Sequence, residues 1–367
     1  MASTSGCETA RYYGQAIAGQ WQILSLRQPI ARLLADTNTP PDLRRQLQLV
    51  MRLRAFAQHE LKLPVDGHYD RYADVRRPYV VWNVYAAPEL SLAAKSWWYP
   101  FVGSLEYRGY FAEAPAHRHA ERLRARGFDV FVAGIEAYST LGWFEDPILN
   151  TFVFDEEHQL ADLLFHELAH QRVFLRGDTD FNEAFATAVA EEGVRRWVAA
   201  RADRAARRRH EEARQRHAQF VHLVLRARRE LETLYGEAAE ARQAHASTTP
   251  PPPDIRRASK AAIIARLRQD YQALKAQWGG YTGYDTWFDS PINNAQINTV
   301  ATYYDLVPGF HALLARCGGE LEAFYREAER LRKLPEKERH QWLRALASEA
   351  TAATSSADAP TPTSSSP

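Results

Sequence analysis

The sequence predicts an α+β protein in which α-helices predominate, with a small sheet near the N-terminus. Three short runs rich in aromatic and β-branched residues, at 79–86, 105–111 and 129–133, indicate strands. The rest of the chain shows helical patterns, including a long run of Arg, Glu and Ala at 195–245. The chain has 367 residues, of which 46% are hydrophobic and 25% charged, so it is long enough to bury a sizeable core.

Composition excludes several classes of protein. The net charge of +1 gives no basic field of the kind that nucleic-acid-binding proteins use, and the arginines of 207–216 are interleaved with glutamates, which indicates a solvated helix face. Nothing approaches 18 consecutive apolar residues, so no transmembrane helix is predicted. Two cysteines, Cys7 and Cys317, can form neither a disulfide framework nor a four-cysteine zinc site. Any bound metal must therefore be held mainly by His and carboxylates.

The elements suggest four segments along the chain. Residues 8–194 should hold two N-terminal helices that break at Pro40-Pro41, the small sheet, and a pair of helices with the candidate site. Residues 195–277 are predicted to be an inserted helical hairpin, interrupted by the proline run at 250–253. Residues 278–349 then supply C-terminal helices that complete the main domain. Residues 350–367 are small, polar and proline-containing, which predicts a disordered tail.

The segment Leu163–Gln171 contains the pattern HExxH. Positions i and i+4 share one face of a helix, so His166 and His170 can bind one ion together. Glu167 projects about a hundred degrees around the helix, beside the ion, where it can accept a proton from a water molecule. A pentapeptide alone is a weak signal, since a surface helix with two histidines would show the same letters.

The residues that follow HExxH, as far as Glu183, strengthen the interpretation as a metal site. A first helix is expected to end near Arg176-Gly177, and Asp180 can cap a second one. Glu183 then lies in the first turn of the second helix and can fold back to become a third ligand. Two His, one carboxylate and an open position are typical of a catalytic zinc site. Two alternatives stay open: Glu183 as a capping-box acid, and Glu191 or Glu192 as the third ligand.

The motif HELAHQ, followed by FNEAFA, resembles the zinc motif of the gluzincin metallopeptidases, especially their aminopeptidases. The spacing departs from that pattern, because the twelve residues between His170 and Glu183 make a shorter loop than in those enzymes. The resemblance implies a gluzincin-like zinc peptidase core, a Zn²⁺ cofactor and a peptide substrate. Manganese, cobalt or iron could occupy the same ligands.

Four further segments extend the similarity: Tyr12–Ala16, Tyr107–Phe111, Ala137–Trp143 and Asn293–Ala295. In this combination, roughly across residues 7–330, the chain is similar to a bacterial family described as predicted or putative aminopeptidases. Members often carry a lipoprotein signal that ends at a cysteine placed like Cys7. Residues 1–20 contain no apolar signal region, so the resemblance implies a lipid anchor at Cys7 only if an upstream signal is missing from this sequence, together with a location in the periplasm or cell envelope. The other interpretation is a chance cysteine in a frayed N-terminus of a cytoplasmic protein.

Peptide hydrolysis needs a general base and a donor for the developing oxyanion. Glu167 is the expected base. A downstream tyrosine is the donor in related gluzincins, and Tyr303 is the leading candidate because its predicted helix also carries the polar Asn294 and Asn298. The other candidates are Tyr304, Tyr281, Tyr284 and the upstream Tyr138.

The leading hypothesis is a zinc-dependent metallopeptidase that acts at the N-terminus of peptides. An aminopeptidase must also hold the free α-ammonium of its substrate. Gly103–Glu106 resembles the segment that does so in gluzincin aminopeptidases, but its distance from HExxH is longer, and the likeness is interpreted as chance. The alternatives are therefore an endopeptidase, an amidase acting on cell-wall peptides, and a non-catalytic interaction lipoprotein with a vestigial zinc site. The sequence does not indicate an oligomeric state.

Overall fold

Helices make up most of the computed structural model, which describes residues 3–99, 103–137, 145–201, 203–237 and 251–357. Its helices are α1 (Ser3–Leu26), α2 (Ile30–Ala35), α3 (Pro41–His59), α4 (Glu113–Arg124), α5 (Glu157–Arg172), α6 (Thr179–Ala200), α7 (Arg204–Tyr235), α8 (Pro253–Gln277), α9 (Asp285–Asp289), α10 (Asn294–Tyr304), α11 (Val307–Arg316), α12 (Leu321–Leu331) and α13 (Glu336–Ala357). Its strands are β1 (Gln28–Pro29), β2 (Arg71–Ala73), β3 (Val81–Pro88), β4 (Trp97–Tyr99), β5 (Gly103–Leu105), β6 (Tyr107–Tyr110), β7 (Phe128–Ile135) and β8 (Ile148–Leu149). The predicted fold class, a mostly helical α+β protein with small sheets, is confirmed.

The strands form small sheets rather than one. The three predicted strands assemble into an antiparallel sheet in the order β6-β3-β7, with Asn83 opposite Gly109 on one side and Ala133 on the other. Strand β3 occupies the centre because its aromatic and β-branched side chains are buried on both faces. The short strands β1, β2 and β8 form a second sheet, and β4 pairs with β5.

The start of the chain differs from the prediction. Three helices precede β2 instead of two, because the first apolar stripe divides into α1 and the short α2 around β1 (Gln28–Pro29). Proline has no backbone N–H, and its ring clashes with the preceding turn of a helix. Helix α1 also packs closely on the sheet, since a Cβ at Gly19 would lie 2.1 Å from the Phe111 ring.

The main hydrophobic core surrounds α5 and α6. Phe181 and Phe185 of α6 are fully buried and meet the ring of Phe310 from α11 edge to face. On the other side, a Cβ at Gly193 would lie 2.7 Å from the Phe165 side chain of α5, so only glycine permits this approach of the two helices. Burying one such phenylalanine stabilises the fold by about 1.5–3 kcal/mol. Tight packing on both sides therefore holds α5 and α6 in one relative position.

The loop between α5 and α6 corrects two details of the prediction. Helix α5 ends at Arg172, with Val173 extended, and not near Gly177. The N-cap of α6 is Asp178, whose carboxylate accepts from the Phe181 N–H at 3.1 Å, and not Asp180. The chain leaves α5 early because Asn182 holds the loop through two bonds of 2.7 Å with the backbone of Leu175.

Helix α10 is held to the sheet at its N-terminus. The buried Asn294 side chain donates to the carbonyls of Pro88, Glu89 and Ser91, each at 3.0 Å. Its backbone N–H donates to Asp129 of β7 at 2.9 Å, and Asp129 also accepts from Lys260 of α8 at 2.6 Å. These bonds position the helix that carries Asn298 and Tyr303.

Helices α7 and α8 pack against each other through a second apolar cluster, which includes Val224, Leu231, Leu267 and Tyr271. The segment boundaries proposed from the sequence remain predictions. Helix α13 continues to Ala357, past the start of the predicted tail, and residues 358–367 lie outside the described part. Within the described ranges, no helix has both the length and the apolar character that a membrane crossing requires.

Candidate metal centre

The two histidines of HExxH meet at the surface of α5. Their four-residue spacing puts both on one helix face, and the Nε2 atoms lie 3.2 Å apart. Exposure of the side chains is 16% for His166 and 5% for His170. The buried stripe Leu160, Leu164 and Leu168 anchors the same helix in the core. The imidazoles are therefore held by a rigid support and face each other across a small gap.

Glu183 completes the group from α6. Its Oε2 atom lies 3.1 Å from His166 Nε2 and 3.6 Å from His170 Nε2. Three ligand atoms about 2.0–2.1 Å from one tetrahedral ion would lie roughly 3.3 Å apart, so the measured triangle fits such an ion. Among the described residues, these three form the one group of His, Cys, Asp or Glu side chains that converges in this way. The donor set fits a divalent cation with nitrogen and oxygen ligands, whose identity the geometry does not decide.

The electrostatics of the group agree with this assignment. Burial acts to lower the pKa of His166, but the hydrogen bond and charge of Glu183 outweigh it and raise that pKa to about 8. Burial acts to raise the pKa of Glu183, but the charges and hydrogen bonds of His170 and His166 outweigh it and lower that pKa far below its usual range. Glu183 is therefore ionised at neutral pH, and its charge attracts a cation to the imidazoles.

Glu167 lies beside this group without joining it. Burial raises the pKa of Glu167 above the ordinary range, although the two histidines act to lower it. A base that binds a proton more readily than an exposed glutamate is suited to general acid–base work near neutral pH. Burial, followed by the charge of Glu167, raises the pKa of Tyr69, a residue with a φ of 58°. No pattern in the sequence indicated Tyr69, because its approach depends on the turn before β2.

Tyr303 is the candidate tyrosine that lies at the metal centre. Its ring stacks on the imidazole of His166, with 6.1 Å between centroids and 30° between planes. The charge of Glu183, followed by burial, raises its pKa well above the ordinary value. The hydroxyl therefore keeps its proton at neutral pH and can donate a hydrogen bond.

The other candidate tyrosines lie elsewhere. Tyr304 packs on His217 of α7, with 4.9 Å between ring centroids, and Tyr284 shares a hydrogen bond of 3.1 Å with the same histidine. Tyr281 lies against Trp278 and the Arg216 guanidinium. Tyr138 falls outside the described residues.

The two alternative ligands, Glu191 and Glu192, are engaged with other partners. Glu191 bonds His311 at 2.7 Å. Glu192 accepts from Arg195 and from Arg196, each at 2.6 Å. Glu183 is thus the acid that the fold brings to the histidines, and the capping-box alternative is disfavoured because the cap of α6 is Asp178.

A narrow cleft adjoins the candidate metal centre. Glu183 and Tyr303 line it, and Glu106, whose sequence context was interpreted as chance, lines it as well. Burial and the nearby charge of Asp180 raise the pKa of Glu106 to about 7, against a hydrogen bond from Thr302. The wall of the cleft also contains Tyr85, Ala86, Ala94, Tyr107, Thr179, Ala295, Asn298 and Thr299. Sequence reasoning missed this relation because the distance from Glu106 to HExxH is bridged only in the folded chain.

Comparison with known proteins agrees with these features. A family model described as Putative aminopeptidase matches residues 11–343. No curated protein and no solved structure matches the chain. The family match includes α5, α6 and α10, the helices that carry the converging His-His-Glu group and Tyr303. Because it covers most of the sequence, the chain belongs to the putative aminopeptidase family.

Proposed function

We propose that this chain is a zinc-dependent aminopeptidase with His166, His170 and Glu183 as the metal ligands. The observation that carries the proposal is the approach of one Glu183 oxygen to the Nε2 atoms of both histidines, at 3.1 and 3.6 Å. Zinc is the preferred metal for two imidazoles and one carboxylate. A bound Zn²⁺ would lower the pKa of water and polarise a carbonyl group.

The protein supplies the proton transfers and the oxyanion donor. Glu167 accepts a proton from the attacking water and passes it to the departing amine, a role favoured by its raised pKa. Tyr303 donates from its protonated hydroxyl to the oxyanion that forms at the scissile carbonyl. Glu167 and Tyr303 both lie beside His166, so a single bound peptide bond could contact the two side chains.

Removal of single N-terminal residues requires recognition of a free α-ammonium. Glu106 provides a carboxylate in the same cleft as Glu183 and Tyr303. An arriving ammonium would lower the raised pKa of Glu106 and ionise it, giving a charge-assisted hydrogen bond. An endopeptidase has no ammonium to bind at this position, so the buried acid favours the exopeptidase among the alternatives.

The proposal includes a gluzincin-like arrangement, in which HExxH on α5 is completed by a glutamate from the next helix, α6. Location in the cell envelope and lipidation of Cys7 are part of the same proposal and rest on the family resemblance alone. They are tested by fractionation of cells that express the natural gene, compared with a Cys7→Ala variant.

The decisive experiment combines metal content with peptide hydrolysis. Elemental mass spectrometry should find about one zinc per chain in the wild type and none in His166→Ala or Glu183→Ala. His158→Ala is the matched control, since His158 lies on the same helix but outside the converging group. Glu167→Gln should retain zinc and lose hydrolysis.

Peptides with free and with N-acetylated termini then separate the alternatives. Cleavage of free peptides alone supports the aminopeptidase, whereas cleavage of both kinds indicates an endopeptidase. Absence of zinc from the wild type after exposure to Zn²⁺ would overturn the proposal in favour of a non-catalytic protein.

A further inference from the structure

Asn298 presents an unsatisfied acceptor at the cleft. The side chain lines the cleft, and the residue is only 9% exposed. Its Nδ2 donates to the Leu92 carbonyl at 2.8 Å, while its buried Oδ1 meets no donor among the described residues. The opposite amide orientation would put Oδ1 against the Leu92 oxygen, so this bond fixes Oδ1 on the side away from Leu92.

A buried acceptor without a donor destabilises a folded protein, and most native acceptors of this kind have a partner. Asn298 differs in this respect from Asn294, one turn earlier on α10, whose Oδ1 accepts from the Tyr235 hydroxyl at 3.2 Å. Both amides donate to carbonyls of the segment 88–92. The fold thus gives the oxygen of one amide a donor, whereas the oxygen of the other, whose residue lines the cleft, has none in the described part of the chain.

Glu106 lies within reach of the same face of α10. Thr302, which lines the cleft together with Glu106 and acts to lower its pKa, is four residues after Asn298, so its side chain is one helical turn away on the same face. The charge of Arg228 acts to lower the pKa of Glu106, but the Arg228 guanidinium is already paired with Glu232. A carboxylate and an amide therefore belong to two residues that line one cleft, and together they suit a cation with several N–H donors.

We propose that Asn298 Oδ1 and the Glu106 carboxylate jointly bind the primary ammonium of the first residue of a peptide. This inference rests on the proposed aminopeptidase function. It adds that the site selects a primary ammonium by its number of N–H donors as well as by its positive charge. A primary ammonium has three donors and satisfies both acceptors. An N,N-dimethyl ammonium keeps the charge but has one donor, so it leaves one acceptor unpaired.

The test uses calorimetric binding of L-alaninol and N,N-dimethyl-L-alaninol, which does not depend on turnover. The wild type should bind L-alaninol at least tenfold more tightly, the usual effect of one charge-assisted hydrogen bond. Asn298→Ala should lower the affinity for L-alaninol about tenfold and leave the affinity for the dimethyl compound nearly unchanged. Asn298→Ser is a second variant in case the alanine variant folds poorly. Tyr304→Phe is the matched control, since Tyr304 lies on the same helix but packs on His217 outside the cleft, and it should preserve the preference.

Kinetics provide a second readout. For alanyl peptides with a free terminus, Asn298→Ala should raise KM with a smaller change in kcat, because the ammonium is bound in the ground state and in the transition state alike. Equal affinities of the wild type and both Asn298 variants for L-alaninol would overturn the inference, as would a wild type that does not distinguish the two amines. A wild type that binds L-alaninol selectively but cleaves no peptide would contradict the proposed function while supporting the ammonium site.

Discussion

His340 contacts Asp178, with 2.9 Å between its Nε2 and the carboxylate Oδ1, and so joins the last helix of the described chain to the start of α6. Asp178 is the N-cap of α6, which carries Glu183 less than two turns later. Arg339, the neighbour of His340, donates to the other carboxylate oxygen at 2.6 Å. The carboxylate is 2% exposed, so it is compensated entirely by buried partners.

Asp178→Ala should destabilise the protein by about 3–5 kcal/mol, because it leaves the Arg339 guanidinium buried without its counter-ion and removes the helix cap. Urea unfolding followed by circular dichroism measures the change. Asp254→Ala is the control, since Asp254 is 96% exposed and forms only a surface pair, so its loss should change stability little. If Asp178→Ala unfolded at the same urea concentration as the wild type, the contacts of Asp178 with Arg339 and His340 would have no structural role.

The Asp178 carboxylate should also make the stability of the protein depend on pH in acid. The hydrogen bond and charge of His340, with hydrogen bonds from the Phe181 N–H and Arg339, outweigh burial and lower the pKa of Asp178 below its ordinary value. A group with a lowered folded-state pKa adds stability above its unfolded pKa of about 3.9, and that stability is lost as the pH falls through the folded-state pKa. The unfolding free energy of the wild type should therefore fall more steeply below about pH 4 than that of Asp178→Ala. Parallel pH profiles for the two proteins would exclude this contribution.

Metal affinity should depend on pH through His166. The protonated imidazole cannot bind a metal, and Glu183 raises the pKa of His166 to about 8. The affinity for Zn²⁺ should fall about tenfold per pH unit below pH 8. The metal-free fold has the opposite linkage, because the raised pKa of His166 adds stability below about pH 6.5 that is lost as the pH rises through 8. Competition with a chelator between pH 6 and 9 measures the slope, and a flat profile would show that no proton is displaced at the site.

Tyr303→Phe should lower kcat by about 10²–10³, the usual effect of removing one oxyanion donor, with little change in KM. The ring would still stack on His166, so the metal content should remain that of the wild type. Tyr304→Phe is the matched control, because the adjacent side chain packs on His217, and it should retain activity. Equal losses in the two variants would remove Tyr303 from the mechanism.

Zinc should stabilise the folded chain by mass action. A free Zn²⁺ concentration of 100 times Kd adds about 2.7 kcal/mol to the unfolding free energy, provided that the unfolded chain binds none. Thermal unfolding of the metal-free protein should therefore shift upward with added Zn²⁺. His170→Ala should lose this shift, because it removes one of the three converging ligand atoms. A shift that persists in the variant would mean that zinc binds elsewhere.

Much of the protein followed from local patterns in the sequence. The spacing of His166 and His170 determines that the imidazoles share a helix face, because the geometry of the α-helix is the same in every protein. The aromatic and β-branched runs correctly indicated β3, β6 and β7, and the position of Glu183 in a second helix brought it within reach of the first. Local chemistry decides these features, so no knowledge of distant residues was required.

The tertiary structure decided which of several equivalent residues reach the candidate metal centre. Tyr303 and Tyr304 are adjacent in sequence, yet only Tyr303 stacks on His166, because the bonds of Asn294 to the segment 88–91 set the rotation of α10. Glu106 lines the cleft for a similar reason, since the bend between β5 and β6 that carries it meets α10 only through long-range packing. The cap at Asp178, its partner His340 and the free oxygen of Asn298 likewise depend on contacts between residues far apart in the chain. A sequence determines its periodicities directly, whereas the choice among neighbouring side chains depends on the packing of the whole molecule.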